Sequence, residues 1–231
     1  MPNELYLTLS TPHWREFGRS TKNRQLWIRS WQGRSEDSVL LFGAIHGDEP
    51  LGVSCLLALA AELDARFVVN GDLPRSVCIV PVVNPDGFLV GKKDNAAGVD
   101  LNRNFAAQNW QRVHKPGYDP GLSPASEPET RALMQLIEDA KATRFIALHS
   151  PFRTVNYDGP SRGLAERMAA KNGYGARADI GYPTPGSFGT LYGCERGLEV
   201  ITLEIPPMTP AQAWAENRTA LYEAIELLPS L

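Results

Sequence analysis

His46 and Glu49 lie three residues apart, just after an apolar run at residues 38–42 that predicts a buried strand. An imidazole and a carboxylate at this spacing suit a catalytic zinc ion, which also needs a third protein ligand and an open position for water. His149 follows another apolar run, at residues 144–148, and is the candidate third ligand. The spacing alone also fits a solvated histidine beside a glutamate. Because the chain has only 4 histidines, and active sites of α/β proteins collect at the carboxyl ends of strands, the metal site is favoured.

A second polar cluster, Asp-Leu-Asn-Arg-Asn-Phe, lies at residues 100–105. One interpretation is a loop held together by hydrogen bonds from its Asp and Asn side chains. The functional interpretation is that Arg103 offers a planar fork for a carboxylate, the group that a C-terminal residue or an amino-acid product presents. The segment before it, Asn-Pro-Asp-Gly at residues 84–87, predicts a turn after a strand at residues 76–83.

The composition is that of an ordinary globular protein of 231 residues, with 43% hydrophobic and 21% charged residues. This length predicts a single domain, residues 1–231. The formal net charge of −3 argues against a nucleic-acid partner, and no apolar stretch reaches the roughly 20 residues of a membrane span. The first residues do not resemble a signal peptide. We therefore expect a cytoplasmic protein whose three cysteines are free thiols.

Strand-like and helical segments alternate along the chain. Apolar runs predict strands at residues 25–31, 38–45, 76–83, 144–149 and 199–205. Apolar spacing and capping signals predict helices at residues 50–63, from a capping box at Ser126 to about 142, at 161–172, and from Thr209 to about 228. This alternation predicts an α/β sandwich with a largely parallel or mixed central sheet. Two loops rich in Pro and Gly are predicted at residues 115–125 and 181–189, and the second is a candidate wall of a site.

The order of the motifs adds information that no single motif carries. His-x-x-Glu is followed by Asn-Pro-Asp-Gly, Gly-Val-Asp-Leu-Asn-Arg-Asn-Phe, Leu-His-Ser-Pro and Thr-Leu-Glu-Ile-Pro. This order resembles that of a zinc carboxypeptidase of the carboxypeptidase A superfamily. The segments His-Gly-Asp-Glu-Pro, Val-Asn-Tyr-Asp-Gly-Pro and Thr-Pro-Gly-Ser-Phe-Gly are similar, more narrowly, to the bacterial murein peptide amidase branch. The resemblance spans residues 42–206.

The resemblance implies a three-layer α/β/α fold, in which helices cover a mixed central sheet of about eight strands. It implies one zinc ion per chain, bound by His46, Glu49 and His149. It also implies that Asp100 is a carboxylate behind the first zinc histidine, where it fixes the tautomer and orientation of the ring.

Three further positions match the catalytic and binding residues of the family. Glu204, at the end of a predicted strand, corresponds to the general base. Asn102 and Arg103 correspond to the pair that binds the substrate carboxylate. The chain departs from the pattern at Lys93, which stands where the family has an arginine that polarises the scissile carbonyl. A lysine keeps the positive charge but loses the bidentate fork, so we expect Lys93 to share the developing oxyanion.

The resemblance also implies a substrate. The bond cut would be that between γ-D-glutamate and meso-diaminopimelate in a small cell-wall peptide, during cytoplasmic recycling of muropeptides. The tyrosine on the substrate side is assigned to Tyr182, with Tyr192 as a rival. Candidates for binding the second amino-acid centre of diaminopimelate are Asp158, Arg153 and Arg162, although surface ion pairs explain these charges equally well.

Two other functions fit parts of the pattern. The first is an N-acyl amino acid deacylase of the succinylglutamate desuccinylase or aspartoacylase type, which also uses His-x-x-Glu and a later histidine. The Asn-Pro-Asp-Gly turn and the complete Asn-Arg-Asn-Phe cluster favour the peptidase. The second is a non-catalytic module that binds zinc and a peptide, suggested by the departure at Lys93. The retention of Glu204 argues against it, since a pure binding protein does not need that carboxylate.

Overall fold

The apolar runs of the sequence form the centre of an eight-stranded mixed sheet in a computed structural model, which describes Leu9 and residues 13–70, 73–113 and 117–227. The strands are β1 (Arg15–Arg19), β2 (Gln25–Trp31), β3 (Ser38–Gly43), β4 (Ser76–Val80), β5 (Ala142–His149), β6 (Thr154–Asp158), β7 (Gly175–Arg177) and β8 (Glu199–Glu204). Their order across the sheet is β1-β2-β4-β3-β5-β8-β6-β7. The four neighbours β4, β3, β5 and β8 run parallel, and antiparallel pairs flank them.

Helices cover both faces of this sheet. They are α1 (Pro50–Asn70), α2 (Pro85–Val90), α3 (Pro128–Asp139), α4 (Arg162–Asn172) and α5 (Pro210–Ala224), with a 3-10 turn at Leu101–Arg103 and a π-helix at Gly189–Glu195. On one face α1, α4 and α5 bury their apolar side chains in a shared core. On the other face, α3, the loop after the 3-10 turn and the π-helix enclose a second core that is rich in aromatic rings. The three layers agree with the predicted α/β/α sandwich.

The parallel strands set the position of the functional residues. The strands β3, β5 and β8 end at the same edge of the sheet, with Gly43 beside Leu148 and His149 beside Glu204. Most of their residues are buried, so the register is fixed by apolar packing on both faces. Polar side chains that follow these strands must therefore meet at one edge.

The boundaries of several elements differ from the sequence prediction. Strands β3 and β4 end two and three residues early, because the chain turns away from the sheet toward the functional edge. Helix α1 runs on to Asn70. The capping box predicted at Ser126 is wrong: Glu127 is the N-cap residue and its side chain makes no capping bond, while the Ser126 hydroxyl donates to Glu127 Oε1 at 2.7 Å.

Other differences concern the ends of the chain and the edges of the sheet. The last helix ends at Ala224, and the predicted end near residue 228 lies outside the described residues. Strands β1, β6 and β7 are additions to the prediction; they are short and only partly buried, so they lack a long apolar run. None of the described helices combines the length and apolar character needed to cross a membrane.

Candidate metal centre and active site

A cleft opens at the carboxyl ends of the parallel strands, and the three predicted metal ligands lie in it. His46 follows β3, Glu49 directly precedes α1, and His149 is the last residue of β5. The Nδ1 atom of His46 lies 2.9 Å from Glu49 Oε1, and the Nδ1 atom of His149 lies 3.0 Å from Glu49 Oε2. One ligand atom from each of the three residues falls within 4.8 Å of the others. The structure therefore joins the residues that the sequence proposed separately.

The donor atoms fit a zinc ion. Two imidazole nitrogens and one carboxylate form the nitrogen and oxygen ligand set that zinc accepts. Glu49 Oε2 is buried, yet it receives no well-aligned hydrogen bond from the described residues, although His149 Nδ1 is close by. A buried carboxylate oxygen without such a bond is costly unless a cation binds it. The three side chains thus form a site that a metal ion would stabilise.

The loop between β3 and α1 must turn sharply to present both ligands. Ala44 adopts a left-handed φ of 44° directly after β3, a conformation that is uncommon for a residue with a side chain. Gly47, between His46 and Glu49, packs against the start of α2. A Cβ atom at Gly47 would lie 2.2 Å from the carbonyl carbon of Gly87, which is closer than atoms can approach. The glycine in the His-Gly-Asp-Glu segment is therefore required by packing.

The Asn-Pro-Asp-Gly segment packs against the loop between β3 and α1 and supports it. It does not form an isolated turn: Asn84 caps helix α2 by accepting a hydrogen bond from the Gly87 N–H at 2.9 Å. The Asn84 amide also donates to the carbonyl of Lys93 at 3.0 Å, and the same carbonyl accepts from the Gly47 N–H at 3.1 Å. Asp86 points elsewhere and binds Arg24. The role of this segment is to hold the metal-binding loop.

Asp100 lies behind His46, as the resemblance implied. Its Oδ1 atom is 3.1 Å from His46 Nε2 and also accepts the Asn102 N–H at 2.9 Å. Its Oδ2 atom accepts a 2.6 Å hydrogen bond from the Lys93 ammonium group. Since Nε2 is turned to Asp100, the Nδ1 atom of His46 is the one that faces Glu49. Asp100 thereby sets the orientation of the ring.

The Lys93 ammonium group is turned toward Asp100 rather than into the cleft. This group donates to Asp100 and, at 2.6 Å, to the carbonyl of Gly117, and it lies 4.4 Å from the centre of the Tyr118 ring. Among the described residues, those that line the cleft do not include Lys93. The long flexible stem of lysine lets the charge turn away from the cleft and pair with the buried Asp100 carboxylate.

The ligands and Asp100 form one coupled set of charges. Burial lowers the pKa of His46, but hydrogen bonds to Asp100 and Glu49 and the charges of both carboxylates together raise it to about 9. Burial opposes ionisation of Glu49, yet the charge of the adjacent His149 and the charge and hydrogen bond of His46 lower its pKa to about 2. For Asp100, burial is likewise outweighed by His46, Arg103 and Lys93, which hold its pKa well below the usual range. The carboxylates are therefore anionic and attract a cation.

Glu204 lies beside the ligands, at the end of β8 and next to His149. It is 5% exposed and lines the cleft, and its Oε2 atom accepts no hydrogen bond from the described residues. Burial raises the pKa of Glu204, and this effect outweighs the lowering by the neighbouring His149. A carboxylate with a raised pKa can take a proton from water and give it up again near neutral pH.

Arg103, Asn102 and Tyr182 line the same cleft. The Arg103 guanidinium is buried, donates to the Asn102 carbonyl at 2.7 Å and lies 5.6 Å from the centre of the Tyr118 ring. The Asn102 side-chain oxygen accepts the Phe188 N–H at 3.0 Å, so the amide nitrogen is the part that remains to donate to a ligand. Tyr182 is 41% exposed at the cleft. The rival Tyr192 is fully buried among aromatic rings and cannot reach a substrate.

The structure distinguishes among the three residues that were candidates for binding the second amino-acid centre of the substrate. Asp158, the last residue of β6, lines the cleft, whereas Arg153 and Arg162 do not. Arg153 pairs with Glu216 at 3.1 Å, and Arg162 forms an exposed pair within α4. Among the described residues no cationic side chain pairs with the Asp158 carboxylate, and burial raises its pKa.

Several residues that line the cleft were not identified from the sequence. Asn156 lies two residues before Asp158 on β6, so the period of two along a strand could have placed both on one face. Ser187 and Gly189 come from the loop and the π-helix that precede β8. The sequence shows these residues only as part of a turn-rich stretch, and the approach of Gly189 to Asp158 depends on tertiary packing.

The chain belongs to the zinc carboxypeptidase family: the model described as zinc carboxypeptidase matches residues 10–166. Murein peptide amidase A from Escherichia coli strain K12 is 33% identical over 214 residues, which cover 87% of this chain and 85% of that protein. Murein peptide amidase A from Vibrio campbellii is 31% identical over 227 residues, which cover 93% of this chain and 88% of that protein.

Solved structures agree with this family. The crystal structure of murein-tripeptide amidase MpaA from Escherichia coli O157 is similar with a TM-score of 0.77 and 30% identity, over 96% of this chain and 94% of that chain. Thrombin activatable fibrinolysis inhibitor is similar with a TM-score of 0.84 over 97% of this chain and 73% of its own, but at 17% identity, which shows the fold alone. The predicted carboxypeptidase-like fold is thus confirmed. The protein is a zinc-dependent hydrolase, and His46, Glu49 and His149 form its potential zinc-binding site.

Proposed function

We propose that the protein hydrolyses the amide bond between γ-D-glutamate and meso-diaminopimelate in a murein tripeptide, as part of cell-wall recycling. The observation that carries this proposal is a pair of opposite charges in one cleft: Arg103, a cation for a free carboxylate, and Asp158, a carboxylate that no described cation neutralises. Diaminopimelate offers the matching charges, with a carboxylate next to the scissile bond and an ammonium group at the far end. The relatives named murein peptide amidase A support the same substrate.

The residues of the cleft divide the chemical work. His46, Glu49 and His149 would hold the zinc ion, which would supply Lewis acidity toward the amide carbonyl and the attacking water. Glu204 takes a proton from the attacking water and returns it to the leaving amine. Arg103 and Asn102 hold the carboxylate of the leaving residue, so that binding energy is converted into orientation of the scissile bond. Tyr182 contacts the substrate from the exposed wall, and Asp158 accepts the far ammonium group.

Lys93 has a different place in this proposal from the one that the resemblance implied. Its hydrogen bonds to Asp100 and to the carbonyl of Gly117 support a role in holding Asp100. Asp100 in turn orients His46. Because Lys93 is turned toward Asp100, Arg103 is the one lysine or arginine among the described residues that line the cleft. The metal ligands line the same cleft.

The two other functions receive less support. The family model and the named relatives are peptidases and amidases, so a deacylase of the succinylglutamate desuccinylase type is not favoured. A non-catalytic binding module would not need Glu204, whose buried carboxylate lies beside the metal ligands and lines the cleft.

We also propose that residues 1–231 form one catalytic domain and that the protein works in the cytoplasm. Both cores lie against the same sheet, which supports a single domain. Cys55 and Cys78 are buried free thiols, and Cys194 is an exposed one. An exposed free thiol persists more readily in a reducing compartment.

A turnover assay tests the proposed function. Zinc-loaded protein is incubated with L-Ala-γ-D-Glu-meso-diaminopimelate, and the products are identified by mass spectrometry, with a chelator-treated sample as the control. Chelator-sensitive release of free diaminopimelate is the expected result. Release of succinate from N-succinylglutamate in preference to cleavage of the tripeptide would contradict the proposal and favour the deacylase.

A further inference from the structure

We propose that the π-helix Gly189–Glu195 is built around the Asp158 carboxylate, and that Gly189, Gly193 and Cys194 position it to select substrates with a side-chain ammonium group. This inference rests on the proposed function, because it assigns the selection to the same cleft. Three contacts between the π-helix and the end of β6 support this positioning of Asp158.

The first contact is the close approach of Gly189. A Cβ atom at this position would lie 2.2 Å from Asp158 Oδ2 and 2.8 Å from its Cγ atom. Both distances are shorter than real Cβ contacts. The carboxylate therefore occupies the space that a side chain at position 189 would fill. Any larger residue there would force the carboxylate out of its present position.

The second contact is between Gly193 and the Cβ atom and backbone of Asp158. A Cβ atom at Gly193 would lie 2.4 Å from Asp158 Cβ and 3.0 Å from its carbonyl carbon. Gly189 and Gly193 are four residues apart in a helical segment, so both lie on the side that faces β6. The two glycines let the helix backbone lie directly against Asp158 and restrict where its side chain can move.

The third contact is polar. The Cys194 thiol donates to Asp158 Oδ1 at 3.6 Å. A thiol is a weak donor, so it orients the carboxylate without neutralising the charge. Burial raises the pKa of Asp158, and among the described residues no cation compensates the charge. A partly buried carboxylate that is held in place and left without a counter-ion gains most from a ligand that brings an ammonium group.

These contacts assign the choice of substrate to one charge at a fixed position. A leaving residue with a distal ammonium group pairs with Asp158, whereas an apolar or acidic side chain leaves the carboxylate unpaired or repels it. Gly189 then determines specificity through Asp158, because its missing side chain makes room for that carboxylate.

The test compares two peptides that differ only in the distal amine. L-Ala-γ-D-Glu-meso-diaminopimelate is set against the analogue that ends in L-2-aminopimelate. For Gly189→Ala, kcat/KM on the diaminopimelate peptide should fall by about ten- to a hundredfold, the effect of losing one charged hydrogen bond, while the analogue changes by about twofold or less. Gly163→Ala is the matched control, because a Cβ there meets only the flexible Arg167 side chain at 3.7 Å. An equal loss on both peptides would overturn the inference.

A second pair of variants covers the case in which Gly189→Ala does not fold. Cys194→Ala removes the donor and should reduce the preference for the diaminopimelate peptide by several-fold, whereas Cys194→Ser keeps a donor and should restore it. Unchanged preference in Cys194→Ala would remove Cys194 from the positioning set.

Binding of the free amino acids separates this inference from the proposed function. Calorimetry on zinc-loaded wild-type protein compares meso-diaminopimelate with L-2-aminopimelate and requires no turnover. Tighter binding of diaminopimelate, lost in Gly189→Ala, supports the inference even if neither peptide is cleaved, a result that would reject the proposed function alone. Equal binding of the two amino acids would overturn the inference whether or not the tripeptide is cleaved.

Discussion

The two ends of the cleft differ in how their charged side chains are paired. At the metal end, which comprises His46, Glu49, His149 and Asp100, each acidic group lies against an imidazole or an ammonium group. At the far end, Asp158 contacts two glycine backbones and a thiol, and no described cation balances it. One end is therefore arranged to hold a cation for chemistry, whereas the other keeps a charge available for the substrate.

The supporting elements differ as well. The metal end is built on the ends of buried parallel strands, whose register is fixed by two apolar cores. The far end depends on the short strand β6 and on a π-helix, an element that is rare and that is found often at functional sites. The rigid placement of the metal ligands suits a reaction that is the same for every substrate. The more local arrangement around Asp158 suits the selection of one particular substrate.

The largest effect should come from breaking the metal end. His149→Ala removes one of three ligands, so zinc stoichiometry should fall from one per chain to near zero. Hydrolysis should fall by roughly a thousandfold or more, because the Lewis acid contributes several kcal/mol to catalysis. Zinc content by mass spectrometry and turnover of the tripeptide would check this. A variant that retained full zinc stoichiometry would exclude His149 as a ligand.

Removing the Arg103 cation should have a smaller effect than losing the metal. Arg103→Met keeps much of the side-chain volume but loses the fork that binds the substrate carboxylate. We expect KM to rise by about ten- to a hundredfold, the range for a charged hydrogen bond. Arg162→Met is the matched control, because Arg162 is exposed and pairs within α4. Equal KM values for the two variants would contradict the assignment of Arg103.

A smaller effect should follow from loosening the support of His46. Asp100→Asn keeps the shape of the side chain but loses the charge that orients the ring, so zinc affinity should weaken by about ten- to a hundredfold. Competition with a chelating dye would measure it, and Asp139→Asn in α3 serves as a remote control. If both variants bound zinc as tightly as the wild type, Asp100 would have no part in holding the ligand.

The smallest step, about tenfold for each pH unit, is a dependence of metal affinity on pH. His46 has a pKa of about 9 in the metal-free protein, so it carries a proton at neutral pH that zinc must displace. Apparent zinc affinity should therefore rise by about tenfold for each pH unit between pH 6 and 8, and should level off above the pKa. A flat affinity across this range would show that His46 is already deprotonated.

The sequence predicts the metal end well for a physical reason. His46, His149 and Glu204 each come at the end of a strongly apolar strand, and parallel strands must end at the same edge of the sheet. An apolar strand and the polar residue that follows it are therefore enough to predict that these side chains share a site. The family resemblance adds Asp100, and the structure places it within hydrogen-bonding distance of His46.

The far end could not be predicted in the same way. Asp158 is visible in the sequence as one charge among many, and its burial depends on the π-helix that packs against it. Arg153 carries the same kind of sequence signal, yet it pairs with Glu216 away from the cleft. The direction of Lys93 is also decided by tertiary contacts, since its flexible stem reaches either the cleft or Asp100. Only the degree of burial distinguishes Tyr182, which is exposed, from Tyr192, which is fully buried.

The most direct test of the contrast is to measure kcat and KM for Glu204→Gln and Asp158→Asn side by side, on zinc-loaded protein with the diaminopimelate tripeptide. If chemistry and selection lie at separate ends, Glu204→Gln should lose about 10²- to 10⁴-fold in kcat with a KM near that of the wild type. Asp158→Asn should raise KM and keep most of kcat. Near wild-type kcat in Glu204→Gln, or a loss confined to kcat in Asp158→Asn, would contradict this account.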